Sequence, residues 1–235
     1  MRWNTSNYDA RHDTRVMGMS DTAYAFADMP LNEIRAGSTV LVTGPPHGGA
    51  RELALRMVAG KPGEGAILVT TNQRSRRVVE DCRRMGLEIA ADETAILDCV
   101  GETEQNVPAR VLSLSGPADL TGIGMRFSDV HREFERAGLD SVRTGLYSLS
   151  TLLTFSDVRT VSRFVHALVG RIDAVDGLGI LLIDPTNHDT RTVSTLSQFC
   201  TGRIEVQDTD DGPELRARGL GDQPRSWTAF DPTTE

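Results

Sequence analysis

The sequence predicts an α/β fold with three layers, a mainly parallel central sheet and a C-terminal β-hairpin. Three observations carry this. Short apolar runs of strand length alternate with stretches of helical periodicity. No run alternates polar with apolar cleanly, as expected of strands covered on both faces. Residues 40–43 lead through a Gly/Pro-rich loop into a helical pattern, giving a strand, a phosphate-type loop and a helix in succession. Near the end, two strand-like runs flank an Asp/Gly/Pro turn. At 235 residues the chain suits one domain with a full core.

Residues 1–23 are polar and aperiodic and read as a flexible N-terminal tail. The domain is expected over 24–221, with 222–235 a loose C-terminal tail. The first strand, 39–43, follows Ala36-Gly37-Ser38. A helix over 51–59 comes next, then a turn at Lys61-Pro62-Gly63. Residues 66–70 form a continuous apolar strand. In 74–85, Val78, Val79 and Cys82 mark one helix face, with Gly86 as the stop. A third strand covers 95–100, and 111–114 reads as a short strand or a loop. A helix over 119–137 precedes a fourth strand, 142–149, which Gly145 interrupts. The helix over 156–169 carries Val161, Val165 and Leu168 on one face, with Ser156 as N-cap. The fifth strand, 179–184, a short helix over 193–199 and the hairpin 203–206 with 214–218 complete the order.

A net charge of -8 weighs against direct nucleic-acid binding, since phosphate backbones need a basic surface. Lys61 is the sole lysine, so nearly all positive charge is arginine. Acidity with so little lysine resembles proteins of salt-loving archaea; a high-GC genome also favours Arg codons, and the first reading is preferred. Cys82, Cys99 and Cys200 lie far apart with no C-x-x-C pair, which argues against a zinc site or disulfide framework. No stretch approaches the ~20 apolar residues of a membrane span. The N-terminal residues lack an apolar h-region, so the expected compartment is cytoplasmic.

The loop after the first strand carries the chemistry. In a P-loop, G-x-x-x-x-G-K-[ST], backbone amides and a helix N-terminus cradle phosphate, Lys reaches the terminal phosphates, and the hydroxyl holds magnesium. Here Gly44 and Gly49 stand at the motif spacing around Pro45, Pro46, His47 and Gly48. Ala50 occupies the Lys position and Arg51 the hydroxyl position. Two readings stand for the loop: a tight strand-to-helix turn, or a retained anion site. Arg51 leaves the helix turned by ~100° from the direction of the missing Lys; solvation is the expected state of an arginine there.

Ala36-Gly37-Ser38-Thr39-Val40-Leu41-Val42-Thr43-Gly44-Pro45-Pro46 resembles the entry to the Walker A loop in the KaiC/RadA branch of RecA-like ATPases. Leu68-Val69-Thr70-Thr71-Asn72-Gln73 is similar to that branch's second strand. Tyr147-Ser148-Leu149-Ser150-Thr151-Leu152-Leu153 resembles its Walker B strand and the segment after it. Leu215-Arg216-Ala217-Arg218-Gly219 resembles its closing strand. The resemblance covers roughly residues 24–220 and implies a RecA-like fold. It also implies acidic residues after the second strand, one of which activates water; Asn72 and Gln73 stand there and cannot take a proton. The Walker B Asp of the family falls at Tyr147, which is no hard anionic ligand. Every position used for phosphoryl transfer is changed.

The expected function is therefore non-catalytic: a regulatory or scaffold pseudo-ATPase, acting through a protein partner or self-association. No cofactor is expected, with weak ATP binding open. The alternatives are an active KaiC-like ATPase with unorthodox residues, and a recombinase paralogue working on DNA through a partner. Arg216 and Arg218 read as a possible subunit interface, against the plainer reading of a solvated hairpin face. The run 184–189 reads as a turn in preference to a metal cluster. Asp98 either faces the cleft or caps a turn.

Overall fold

The computed structural model describes residues 22–45, 47–101 and 107–232. Residues 1–21 of the expected tail over 1–23, Pro46 of the loop, residues 102–106 and residues 233–235 lie outside the described residues. The Thr22 carbonyl accepts from the Ala36 amide and Ala23 stands in a short strand, so the tail ends earlier than expected.

A short strand pair, β1 (Ala23–Tyr24) with β2 (Ile34–Arg35), precedes the main sheet. The sheet is built from β3 (Thr39–Thr43), β4 (Gly65–Thr70), β5 (Thr94–Asp98), β6 (Arg110–Ser113), β7 (Val142–Tyr147), β8 (Leu178–Ile183), β9 (Gly202–Thr209), β10 (Gly212–Arg218) and β11 (Thr228–Ala229). Its order is β11-β10-β9-β3-β8-β7-β4-β5-β6. The strands from β9 to β6 run parallel, while β10 pairs antiparallel with both β9 and β11. The first strand of the P-loop pattern is thus interior, and the hairpin extends an edge.

Two helical layers cover the sheet because strand side chains point alternately to its two faces. Val40 and Val42 of β3 pack with α1 (Ala50–Val58) and α2 (Ser75–Arg84). Leu41 faces the other way, toward α3 (Leu120–Arg136), α4 (Leu149–Phe155), α5 (Val158–Ala174) and α6 (Thr190–Ser197). Both faces are buried, so the strands read as unbroken apolar runs.

Several boundaries differ from expectation. The fourth strand ends at Tyr147, and its last residues belong to α4. That helix has only seven residues and no side-chain cap, so its leucines read as more strand. The cap of α5 is Asp157, whose carboxylate accepts from the Thr160 amide at 2.9 Å. Ser156 is instead the extended residue that closes α4. Asp189 caps α6 in the same way, so that helix begins earlier than its apolar pattern suggests. The run 111–114 is a strand, β6, at the sheet edge.

Residues 222–232 are not loose. Thr228 and Ala229 pair with Leu215 and Glu214, and Phe230 is buried. The Gln223 amide donates to the carbonyls of Asn32 and Glu33 and accepts from the Asn32 amide. A polar composition suggested a tail; tertiary hydrogen bonds and one aromatic anchor hold the segment down. No helix among the described residues is long and apolar enough to cross a membrane.

Candidate functional site

The loop from β3 to α1 lies at the carboxyl ends of the parallel strands, where such sheets bind ligands. Gly44 has no room for a side chain: a Cβ would lie 2.7 Å from that of Ala50 and 3.0 Å from Val206. Gly49 closes the loop with φ +83, a conformation that favours glycine. The Gly48 amide donates to the Pro45 carbonyl at 3.2 Å, drawing the loop into a turn. The amides at the start of α1 have no intrahelical acceptor, and Gly49 offers no side-chain cap. The loop is a tight turn whose backbone leaves amides open at the helix start. His47 is exposed at the cleft edge and Ala50 is buried against Gly44.

The cleft beside this loop has a volume of about 780 Å³. Arg51 reaches across it to α2. Its guanidinium donates to Gln73 Oε1 at 2.6 Å and Asp81 Oδ2 at 3.1 Å, and lies 5.9 Å from the centre of the Tyr147 ring. Its side chain is only 12% exposed, so the expectation of a solvated arginine is corrected. Asp81 also pairs with Arg77 and Arg84 on its own helix. Three guanidinium groups, from Arg51, Arg77 and Arg84, thus share the cleft with the carboxylates of Glu52, Asp81 and Asp184. Opposite charges match in number, and the cleft has no surplus positive charge to offer a triphosphate.

Tyr147 turns away from the cleft. Its ring lies beneath Gly145, where a Cβ would come within 2.7 Å of it. Its hydroxyl donates to the Ala54 carbonyl of α1 at 2.9 Å. Burial pushes the phenol well above its ordinary pKa, with Cys82 raising it further and Arg51 opposing. Ser148, Ser150, Thr151 and Thr154 present hydroxyls to the cleft from the end of β7 and from α4. Asn72 is exposed at the rim, while Gln73 is held by Arg51.

Asp98 caps rather than faces the cleft. Its carboxylate accepts from the amides of Ser75 at 2.7 Å, Val100 at 2.8 Å and Gly101 at 3.0 Å, and it is fully buried. Asp184 accepts from the Thr186 amide and hydroxyl and from Asn187, which makes the run after β8 a turn. Among the described residues, no trio of His, Cys, Asp or Glu is grouped to hold a metal ion. Arg216 stacks 4.2 Å from the Trp227 ring centre and pairs with Glu205 at 2.5 Å. Arg218 lies 3.9 Å from the same carboxylate with half its side chain exposed. Arg216 is thus engaged within its own chain rather than freely solvated.

The contributions of Asp81, Arg77, Arg84 and α4 to the cleft were not foreseen. The i,i+4 and i,i+3 charge spacing around Asp81 was the available signal for its helix pairs. Nothing local pointed to its partner in α1, which is 30 residues away.

The order of the parallel strands, with the loop-bearing strand interior and the cleft over their carboxyl ends, defines a RecA-like fold. The crystal structure of the KaiC-like protein PH0186 from the hyperthermophilic archaea Pyrococcus horikoshii OT3 matches with a TM-score of 0.57. The match covers 82% of this chain and 83% of that one at 15% identity, a likeness of fold. The chain belongs to the DUF7504 family, a family of unknown function, whose profile matches residues 37–206. No curated protein matches the sequence.

Proposed function

We propose that the protein is a non-catalytic regulatory or scaffold member of the RecA/KaiC-like group, keeping the ATPase shape for protein contacts. The observation that carries this reading is the engagement of Arg51. The cation closest to the lost lysine is bound to Asp81 and Gln73 across the cleft. Its Nη2 is committed to both partners, and the Asp81 carboxylate offsets the charge it could offer a phosphate. Phosphoryl transfer needs charge stabilisation of the transferring group, an organised metal and a positioned nucleophile. Ala50 supplies no charge, Tyr147 points into the core, and Asn72 and Gln73 cannot accept a proton. Loss at every one of these places is better read as lost catalysis than as unorthodox catalysis. The amides at the start of α1 leave weak anion binding physically open.

The expected outcome is no ATP hydrolysis above background with magnesium at high salt. In calorimetric titration, ATP should bind weakly at best, with no gain from magnesium. Turnover that follows the protein through purification and disappears in Asn72→Ala or Gln73→Ala would overturn the reading. So would micromolar ATP binding that tightens with magnesium.

A further inference from the structure

The layer formed by α3 to α6 carries a groove between α5 and α6, away from the cleft, with a volume of about 490 Å³. Its charged side chains are Arg159, Arg163 and Arg191, with His166 beside them and no carboxylate in the lining. In a chain of net charge -8, this cluster is a local inversion of sign. Arg159 and Arg163 stand one turn apart on α5, a like-charge spacing that weakens a helix. None of the three forms an ion pair among the described residues, whereas Arg51, Arg77, Arg84, Arg143 and Arg216 all do. The nearby acids, Asp157 and Asp189, are the N-caps of the two helices, and their oxygens bond to Thr160 and Thr192. They feel Arg163 and Arg191 only as a minor influence.

The groove is apolar as well as basic. Phe199 forms part of one wall, with the His166 ring 5.4 Å away. Val158 sits at one end, 37% exposed. Ser162, nine-tenths buried, lines the groove with a hydroxyl that has no partner. From Arg159 to His166 the lining runs over eight residues of α5, a rise of about 10 Å at ~1.5 Å per residue. That spread suits several carboxylates on an extended chain better than one small anion. A nucleic acid needs a longer basic track than this groove, and a net charge of -8 disfavours it.

We propose that the α5–α6 groove docks an acidic peptide segment of a partner protein. Its carboxylates pair with Arg159, Arg163 and Arg191, whose planar forks suit carboxylate geometry. An apolar side chain of the segment rests on Phe199 and Val158. The proposal rests on the reading that the protein works through protein contacts, and it names the chemistry of the partner.

The test uses the full chain and a short labelled peptide in which Asp and Glu surround one Leu and one Phe, followed by fluorescence anisotropy. The peptide should bind saturably. The variant Arg159→Glu/Arg163→Glu should weaken it by about tenfold or more, as charge reversal in an interface does. Reversal of the same size on α3, Arg126→Glu/Arg132→Glu, should leave it within about twofold. Thermal melts of both variants check folding. Amide chemical-shift changes on peptide addition should fall on 158–166 and 191–199. A peptide that does not bind, equal binding by the Asn/Gln version, or equal binding by the α5 reversal overturns the proposal. A labelled oligonucleotide that displaces the peptide and binds tighter also overturns it, making the groove a nucleic-acid surface. ATP turnover by the same preparation strikes the non-catalytic reading alone; absent peptide binding without turnover strikes the groove alone.

Discussion

A single carboxylate at the end of β5 holds two segments in place. Asp98 takes the amide of Ser75, at the start of α2, on one oxygen and the amides of Val100 and Gly101 on the other. Replacement by Ala leaves these amides without that acceptor, the Ser75 amide in a site buried from water and the other two in a partly buried one. Each buried unsatisfied group costs about 1–3 kcal/mol, so Asp98→Ala should lose on the order of 3 kcal/mol. Asp98→Asn keeps one accepting oxygen and should lose less. Denaturant unfolding measures both, and an Ala variant as stable as the parent would refute this account. Arg143 shows the same economy of partners. Its guanidinium, buried inside the fold, pairs with Glu64 at 2.7 Å, donates to the Met57 and Ala25 carbonyls, and lies over the rings of Tyr24 and Phe26. The charge is tolerated because every side of it has a partner.

At the scale of elements, the C-terminal segment and the loop before α1 are packed on each other. A Cβ at Gly49 would lie 3.1 Å from Pro213 and 3.2 Å from the Phe230 ring. Gly49→Ala therefore meets backbone strain of roughly 1–2 kcal/mol from its left-handed φ, plus the contact with Phe230. Phe230→Ala should cost about 3 kcal/mol, the low end for a buried aromatic at a sheet margin. It also opens the space that a Cβ at Gly49 would need. The two substitutions should thus be non-additive, the double variant losing less than the sum by about 0.5 kcal/mol or more. Strict additivity in a double-mutant cycle would show that the docked segment and the loop do not constrain each other. The same contacts explain why residues 222–232 order despite their polar composition.

For the whole molecule, the pH dependence of stability has a defined sign. Burial lowers the His131 pKa below its ordinary value of 6.5, against a smaller opposing effect of Glu135. A depressed folded pKa means that stability is fully present above pH 6.5 and falls as pH drops toward the folded value. Asp157 and Asp189 are also depressed, chiefly by the Thr160 and Thr192 amides that they cap. Their contribution is present above the unfolded value of 3.8 and is lost on further acidification. Melting temperature should therefore fall in two limbs, one starting near pH 6.5 and one below pH 3.8. His131→Gln should flatten the first limb and leave the second. An unchanged profile in that variant would remove His131 from the explanation.

The fold was legible because its signals are local. Strands buried on both faces must be apolar throughout, and 39–43, 66–70 and 179–184 are such runs. The Gly44 and Gly49 spacing marked the loop because a tight strand-to-helix turn needs residues without side chains at those places. The chain by itself also determined which side chains could never do phosphoryl-transfer chemistry, since Ala50 and Asn72 lack the groups wherever they point. Tertiary structure alone decided where the remaining groups went. The Arg51–Asp81 pair joins α1 to α2, and neither position carries a sign of the other. Tyr147 faces the core and not the cleft because of how β7 is set against α1. The arginines of α5 and α6, without ion pairs among the described residues, became one groove only when two helices separated by β8 packed side by side. Periodicity reports the face on which a residue lies; what that face meets is decided by long-range packing, which no short stretch of sequence encodes.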